Sequence, residues 1–237
     1  MIGMTDDVIK DAKIHIGLVP DGNRRFAKKH GKPVWWGHQE GAKKLEQFIE
    51  WCTEYPCIKQ ISVFALSTEN INRERKELDK LWEIYKKQFN KMRSSEKIKQ
   101  KQVKINVFGN QLIWRADVRQ AAKDAMAATT GFSRLILNIL LAYGSKFEIV
   151  SAAKQLIKRG IKRFKPTEDL LNKFLLVSQP VDLIIRTGNQ FRLSNFLLYQ
   201  SAYAEIYFSK SLWPEFSRKE FDKIMQWYAK QQKKFGV

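Results

Sequence analysis

The stretch "IHIGLVPDGNRRFAKKHG", residues 14–31, decides how this chain is read. Residues 14–19 are a nearly continuous apolar run, the mark of a strand covered on both faces. Pro20 ends the run. An acid, a glycine, an amide and two arginines follow with no spacer. A doubly covered strand implies a parallel α/β sheet. It also raises a question: why a lone carboxylate stands beside a cationic cluster where the strand leaves the core.

The rest of the chain repeats the pattern. Residues 38–54 carry Ala42, Leu45, Ile49 and Cys52 at helical spacing. "QISVFAL" (60–66) reads as a second buried strand. A long helix follows (76–92), with Leu78, Leu81, Trp82, Tyr85, Phe89 and Met92 on one stripe. "VKINVF" (103–108) alternates and reads as a half-exposed edge strand. Residues 114–129 are helical in pattern, and "RLILNILLA" (134–142) reads as a central strand. Helical segments are expected at 145–159 and 167–176, and strands at "VDLIIR" (181–186) and "EIYF" (205–208). Ser217 with Glu220 reads as a capping box opening a last helix, whose apolar face is Phe221, Ile224, Met225 and Tyr228. There are no repeats and no Pro/Gly/Ser linker. The expectation is one α/β domain over residues 1–237, with residues 1–13 a flexible N-terminal segment. Its mainly parallel six-stranded sheet is flanked by helices, with right-handed crossovers.

Composition narrows the function. The chain has 237 residues and is 44% hydrophobic, enough for a sizeable core. Its 43 lysines and arginines against 24 acids give a net charge of +19. That favours anionic partners, although most of the lysines read as a solvated surface, including the tract "KIKQKQVK" (97–104). Two cysteines, Cys52 and Cys57, form no C-x-x-C pair and suggest neither a zinc site nor a disulfide framework. The N-terminal "MIGMTDDVIKDAK" lacks the apolar core of a secretory signal. The longest apolar stretch, "LILNILLAY" (135–143), is far short of the roughly 20 residues that span a bilayer. A reduced, cytoplasmic setting is expected.

In an open α/β sheet, ligands bind beyond the carboxyl ends of the strands. The residues after each apolar run therefore belong together: Asp21, Gly22, Asn23, Arg24 and Arg25; Ser67, Thr68, Glu69, Asn70 and Arg73; Arg186, Thr187, Gly188, Arg192, Ser194 and Asn195; and Glu205 at the sixth strand. Several arginines, small hydroxyls and glycines with few acids are an inventory for phosphate. One or two carboxylates among such cations suit Mg²⁺ shared with phosphate oxygens. No G-x-x-x-x-G-K-[ST] and no G-x-G-x-x-G occurs, so neither a P-loop NTPase nor a dinucleotide fold has its fingerprint. Each feature also has a plainer reading. Asp21 by position alone would cap the next helix, as would "STEN" (67–70). His38 and Gly41 in "GHQEG" fit a loop-to-helix junction. Trp82, Tyr85 and Phe89 at helical spacing read first as core. "RTGNQFRLSNF" (186–196) is the sharpest piece: two arginines six apart, split by Thr-Gly, make a poor helix and a good anion loop.

Taken in order from about His15 to the end, "DGNRRFAKKHG", "GHQEGA", "FALSTENINR", "LNILLAYG", "DLIIRTGNQFRLSNFLLYQSAYAEIYF" and "LWPEF" resemble the cis-prenyltransferases, the undecaprenyl and dehydrodolichyl diphosphate synthase family. The "DGNRRFA" wording is closer to archaeal and eukaryotic members than to bacterial ones. The resemblance implies an enzyme that condenses isopentenyl diphosphate with an allylic prenyl diphosphate to give cis double bonds. It implies Mg²⁺ at Asp21, with Glu205 as a second carboxylate near the metal, often reaching across a dimer-linked site. It implies that Gly22, Asn23, Arg24 and Arg25 hold the allylic diphosphate. Arg186, Arg192 and Ser194 would hold isopentenyl diphosphate, and Arg73 would add a contact. His38, Ser67 and Asn70 would surround the reacting diphosphate, where proton removal and leaving-group activation are assigned. A homodimer is implied, with an apolar tunnel beside the sheet and helix 76–92 as one wall.

The chain departs from the family pattern at four places. Val34 stands where another diphosphate-binding arginine is usual, and Trp35 and Trp36 follow it. Ile71 replaces an aromatic residue. Asn189 and Gln190 replace Gly-Glu. Leu140 and Leu141 are bulkier than usual and are expected near the site. These keep open an irregular, non-head-to-tail coupling of prenyl diphosphates on the same fold. A non-catalytic partner subunit would lack the aspartate and the arginine loop, both present here. A nucleic-acid binder would need a groove-reading motif, and none occurs, so no nucleic-acid partner is expected. The excess lysine is also consistent with peripheral association with an anionic membrane.

Overall fold

The computed structural model describes residues 12–72, 74–158 and 167–231. The first eleven residues of the expected N-terminal segment lie outside the described residues. The strands are β1 (Ile14–Val19), β2 (Ile58–Ser67), β3 (Val103–Phe108), β4 (Leu135–Tyr143), β5 (Leu183–Arg186) and β6 (Glu205–Phe208). The helices that matter for the site are α1 (Asn23–Lys29), α2 (Val34–Thr53) and α3 (Arg75–Arg93). They are followed by α4 (Glu96–Gln100), α5 (Ala116–Ala128), α6 (Ser145–Lys158), α7 (Glu168–Asn172) and α8 (Arg218–Ala229).

The sheet order is β3-β4-β2-β1-β5-β6, and every pairing is parallel rather than mainly so. β1 is buried at all six positions, as its nearly continuous apolar run implies. β3 alternates buried and half-buried residues and lies at one edge, as its alternating sequence implies. Crossovers leave β1 toward β2 on one side and reach β5 on the other. The gap between β1 and β5 is therefore the topological switch point, where an α/β sheet opens a crevice.

Two apolar layers sandwich the sheet. The larger contains Phe48, Trp82, Phe89, Trp213, Phe216 and Phe221; the smaller contains Val19, Leu140, Tyr143, Ile184, Phe196 and Leu197. Cys52 and Cys57 are buried thiols, neither of them in a disulfide. A row of polar side chains crosses the interior of four adjacent strands. Asn106 Nδ2 donates to Asn138 Oδ1 (2.9 Å), Asn138 Nδ2 donates to Ser62 Oγ (3.0 Å), and Ser62 Oγ meets His15 Nε2 (2.7 Å). His15 Nδ1 lies 2.9 Å from the Pro180 carbonyl, which can only accept. The ring therefore carries its proton on Nδ1 and takes the Ser62 hydroxyl proton at Nε2. Burial pushes the His15 pKa down to about 4, against smaller opposing effects from Pro180 and Asp182.

Three local expectations change. α2 begins at Val34, so His38 and Gly41 sit inside a helix and not at a loop junction. The segment expected to be helical over 167–176 is only the short α7, followed by turns. The capping box at α8 is half formed: Ser217 Oγ accepts from Glu220 N, but the Glu220 carboxylate turns to the Ser209 and Ser211 hydroxyls.

Candidate active site

A cavity of about 850 Å³ lies at the carboxyl ends of β1, β2 and β5. Asp21 stands at its base. It does not cap α1: Gly22 is the N-cap residue and no side chain caps that helix. The Asp21 carboxylate instead accepts from Arg186 Nη2 at 2.9 Å and from Arg25 Nη2 at 3.2 Å. Its main-chain oxygen accepts from Thr187 Oγ1 (2.8 Å) and Trp213 N (3.0 Å), which fixes the turn after β1 to the segments after β5 and β6. Gly188 makes this closeness possible. Its φ is +82°, and a Cβ there would lie 2.4 Å from Arg25 Nη2 and 2.9 Å from the Asp21 oxygen.

Arg186 is the buried centre of the cluster, 4% exposed. Its Nη1 donates to the Arg192 carbonyl (2.6 Å) and to Ser194 Oγ (2.9 Å). Its Nε is buried without a hydrogen-bond partner among the described residues. The segment from Thr187 to Ala204 joins two parallel neighbours with no helix, an unusual crossover. Anion-facing donors occupy the place a helix would fill. Arg24, Arg25 and Arg192 are exposed around the rim. Four arginines against Asp21 and Glu69 leave this cavity cationic.

The turn after β2 forms the opposite wall. Ser67 is buried, and its Oγ accepts from Asn70 N at 3.2 Å, so the capping role expected for "STEN" is real and coexists with a place in the cavity lining. His38 enters from the second turn of α2, with Nε2 3.7 Å from Glu77 Oε1 on α3. Glu77 Oε2 is 3.8 Å from Arg24. Sequence reasoning missed Glu77, because an acid in the first turn of a helix reads simply as a partner for the helix dipole.

Asp21, Gly22, Asn23, Arg24, Arg25, His38, Ser67, Asn70, Arg186, Arg192 and Ser194 thus share one cavity. Arg73 lies outside the described residues. Glu205 is not brought to Asp21 within one chain. It opens β6 opposite Leu183, whereas Arg186 pairs with Phe208. Three residues along a strand set Glu205 back by about 10 Å from the carboxyl edge. Among the described residues, no group of three or more His, Cys, Asp and Glu converges that could hold a metal. Leu140 and Leu141 are buried in the two apolar layers and do not line the cavity, contrary to expectation. Val34 opens α2 and is also absent from the lining.

The polar cavity continues into an apolar one. Pro20, Asn23, His38, Leu81 and Tyr85 line both it and a cleft of about 90 Å³ between α2, α3 and the sheet. That cleft shares Gln88 and Met92 with a third cavity of about 180 Å³ toward α4. The α3 stripe divides: Trp82 packs in the core, while Tyr85 and Phe89 line the cleft. Tyr85 is held there by its hydroxyl, which donates to the Ala65 carbonyl at 2.6 Å.

A cationic mouth joined to an apolar groove suits a ligand with a diphosphate head and a hydrocarbon tail. Comparison with known proteins agrees. Residues 19–236 match the family model described as putative undecaprenyl diphosphate synthase. The chain belongs to that family, the cis-prenyltransferases. It is 39% identical to the "Tritrans,polycis-undecaprenyl-diphosphate synthase (geranylgeranyl-diphosphate specific)" of Pyrococcus horikoshii, over 94% of this chain and 86% of that protein. The protein of the same name from Methanopyrus kandleri is 37% identical, over 98% and 88%. Among solved structures, lavandulyl diphosphate synthase from Lavandula x intermedia, in complex with dimethylallyl diphosphate, superposes with a TM-score of 0.85 at 27% identity. That match covers 94% of this chain and 98% of that one. A probable undecaprenyl diphosphate synthase from Campylobacter jejuni gives 0.80 at 32%, covering 96% and 99%. This cis-prenyltransferase is therefore an enzyme that transfers prenyl groups, on a single α/β domain.

Proposed function

We propose that this cis-prenyltransferase condenses isopentenyl diphosphate with an allylic prenyl diphosphate, head to tail, to make a Z-polyprenyl diphosphate. The observation that carries the reading is the continuity of the four-arginine cavity with the apolar groove beneath α3. The starter proposed is geranylgeranyl diphosphate, after the names of the archaeal relatives. The allylic diphosphate would lie against Gly22, Asn23, Arg24 and Arg25, and isopentenyl diphosphate against Arg186, Arg192 and Ser194, with Arg73 proposed as a further diphosphate contact. His38, Ser67 and Asn70, which line the same cavity, would surround the reacting diphosphate.

Asp21, paired with two guanidinium groups and with no cluster of further ligands beside it among the described residues, does not suit a metal held by protein ligands alone. It does suit Mg²⁺ shared with diphosphate oxygens, because Mg²⁺ is commonly held by one or two carboxylates plus phosphate. Such a bound Mg²⁺ would supply charge neutralisation for the departing diphosphate. The protein's own part is electrostatic and geometric. Fixed arginines face the oxygens where negative charge grows as the allylic C–O bond breaks. The two walls hold the homoallylic double bond against the allylic carbon, which converts encounter into proximity. The polar groups of the β2 turn and His38 lie where the surplus proton leaves.

A homodimer is part of the proposal. β6 pairs only with β5 among the described residues, Phe191 and Tyr203 near it are 69% and 77% exposed, and Glu205 is set back along β6 from the strand end that carries its own Asp21 site. A second copy meeting that edge would bring Glu205 toward a metal site. The proposed setting is the cytoplasm, at an anionic membrane surface. Exposed Trp35 beside Lys28, Lys29 and Lys32 suits such a surface, and no helix of the described residues is long and apolar enough to cross a membrane. Irregular coupling is the weaker reading, because the named curated relatives make polycis chains.

The test incubates the pure protein with Mg²⁺ and separate pairs of C5 to C25 diphosphates, and identifies products by mass and regiochemistry. Homologated Z-products dominated by the C20 starter are expected. Branched or cyclopropane-containing products from two allylic substrates would replace this reading with irregular coupling.

A further inference from the structure

We infer that Glu69 and Asn195 are a pair of positioning residues that clasp the arginine loop to the turn after β2, and so fix the spacing of the two diphosphate subsites. The inference rests on the transfer reading above. Asn195 Nδ2 donates to Glu69 Oε1 at 2.9 Å, across 126 residues of sequence. The other end of the same amide is also engaged: Oδ1 accepts from Lys146 N at 2.9 Å. The Asn195 main-chain oxygen accepts from Ser145 N at 2.8 Å. One residue thus ties together three segments: the β2 turn carrying Ser67 and Asn70, the start of α6, and the loop carrying Arg192 and Ser194.

The backbone around Asn195 needs such a restraint. Ser194, Asn195 and Leu197 have φ of +52°, +65° and +41°. Left-handed conformations cost free energy in residues other than glycine and persist only where surrounding contacts impose them. Ser194 is the residue whose hydroxyl meets Arg186, so the strained segment is the one that presents phosphate donors. The approach is also tight. A Cβ on Gly144 would lie 2.6 Å from Asn195 Nδ2 and 2.7 Å from Thr68 Oγ1, so both walls close onto a position that only glycine leaves open. Partial burial would raise the Glu69 pKa. Hydrogen bonds from Asn195, from its own backbone and from Ser67 and Thr68 outweigh that, and the carboxyl sits below its ordinary range. An ionised Glu69 is a strong acceptor for the Asn195 amide.

A clasp and a simple charge make opposite predictions, because Glu69 is an anion in a site that binds anions. Removing the charge alone would tighten diphosphate binding. Losing the clasp would weaken it, since the arginine loop would no longer be held. Titration calorimetry with inorganic pyrophosphate and excess Mg²⁺ reads this directly, with thermal melting as the check on folding. Glu69→Ala should weaken pyrophosphate binding about tenfold, the size expected for one charged hydrogen bond. Glu69→Gln keeps an acceptor for the Asn195 amide and should bind at least as tightly as the wild type. Gly144→Ala changes no charge and should reproduce the Glu69→Ala loss. Pyrophosphate bound by Glu69→Ala as tightly as by the wild type, or by Glu69→Gln as weakly as by Glu69→Ala, would overturn the inference. If Gly144→Ala fails to fold, the Glu69 pair decides alone. Prenyl transfer by the wild type in the same preparation tests the functional reading separately, and pyrophosphate affinity reads the clasp whether or not transfer occurs.

Discussion

Asp21 and Arg186 are 165 residues apart in sequence and joined by a 2.9 Å hydrogen bond between Oδ2 and Nη2, across the switch point of the sheet. Their burial is unequal: the Arg186 side chain is 5% exposed and that of Asp21 31%. The guanidinium is the fixed member, and the carboxylate faces the cavity. The pair therefore holds the base of the site in place while leaving one face of Asp21 toward a ligand.

Arg186→Lys tests the fork. A lysine keeps the charge but cannot reach Asp21, Ser194 and the Arg192 carbonyl together, as the planar guanidinium does. Steady-state kinetics should show kcat/KM for isopentenyl diphosphate down about 100-fold, the loss expected when a preorganised donor is misplaced. A variant within threefold of the wild type would mean that the fork geometry is not used.

Tyr85 lines both the cationic cavity and the apolar cleft. Tyr85→Ala should shift the product distribution, read by mass spectrometry, toward longer chains. It should also cost about 2 kcal/mol of stability, since a half-buried ring and its hydroxyl bond to Ala65 are lost. An unchanged distribution would place the length-determining wall elsewhere.

His15 predicts a pH dependence of stability. Its folded pKa of about 4 lies below the ordinary value of 6.5, so the unfolded chain binds the proton more readily. The stability that depends on a neutral His15 is fully present above about pH 6.5 and is lost as pH falls toward 4. Between pH 7 and 5 this one group should remove roughly 2 kcal/mol. Urea unfolding of His15→Gln should show a shallower fall over that range than the wild type. Parallel curves would contradict the buried neutral imidazole.

Much of the fold was legible because burial leaves a periodic trace. β1 and β4 read as apolar runs interrupted by one polar residue each, β3 as an alternating edge, and the α8 face as four apolar residues that are all buried. The polar residues after β1, β2 and β5 were legible as one site because a parallel sheet gathers strand ends. What did not show was geometry set by tertiary partners. Asp21 abandons helix capping because Arg186 arrives from β5. Glu220 abandons its box for two serine hydroxyls. Glu205 belongs to the family motif, yet its place at the start of β6 follows from strand register, which no local pattern encodes. Glu77 and the Glu69–Asn195 bond join distant segments and leave no spacing to read.

The central claim is that Asp21, set among these arginines, serves diphosphate transfer and not merely the fold. Asp21→Asn keeps an oxygen for Arg186 and avoids stranding a buried cation, so it should melt near the wild type. Transfer of radiolabelled isopentenyl diphosphate to geranylgeranyl diphosphate, measured with excess Mg²⁺, should fall at least about 100-fold in the folded variant. Transfer at near wild-type rate by Asp21→Asn would contradict the account.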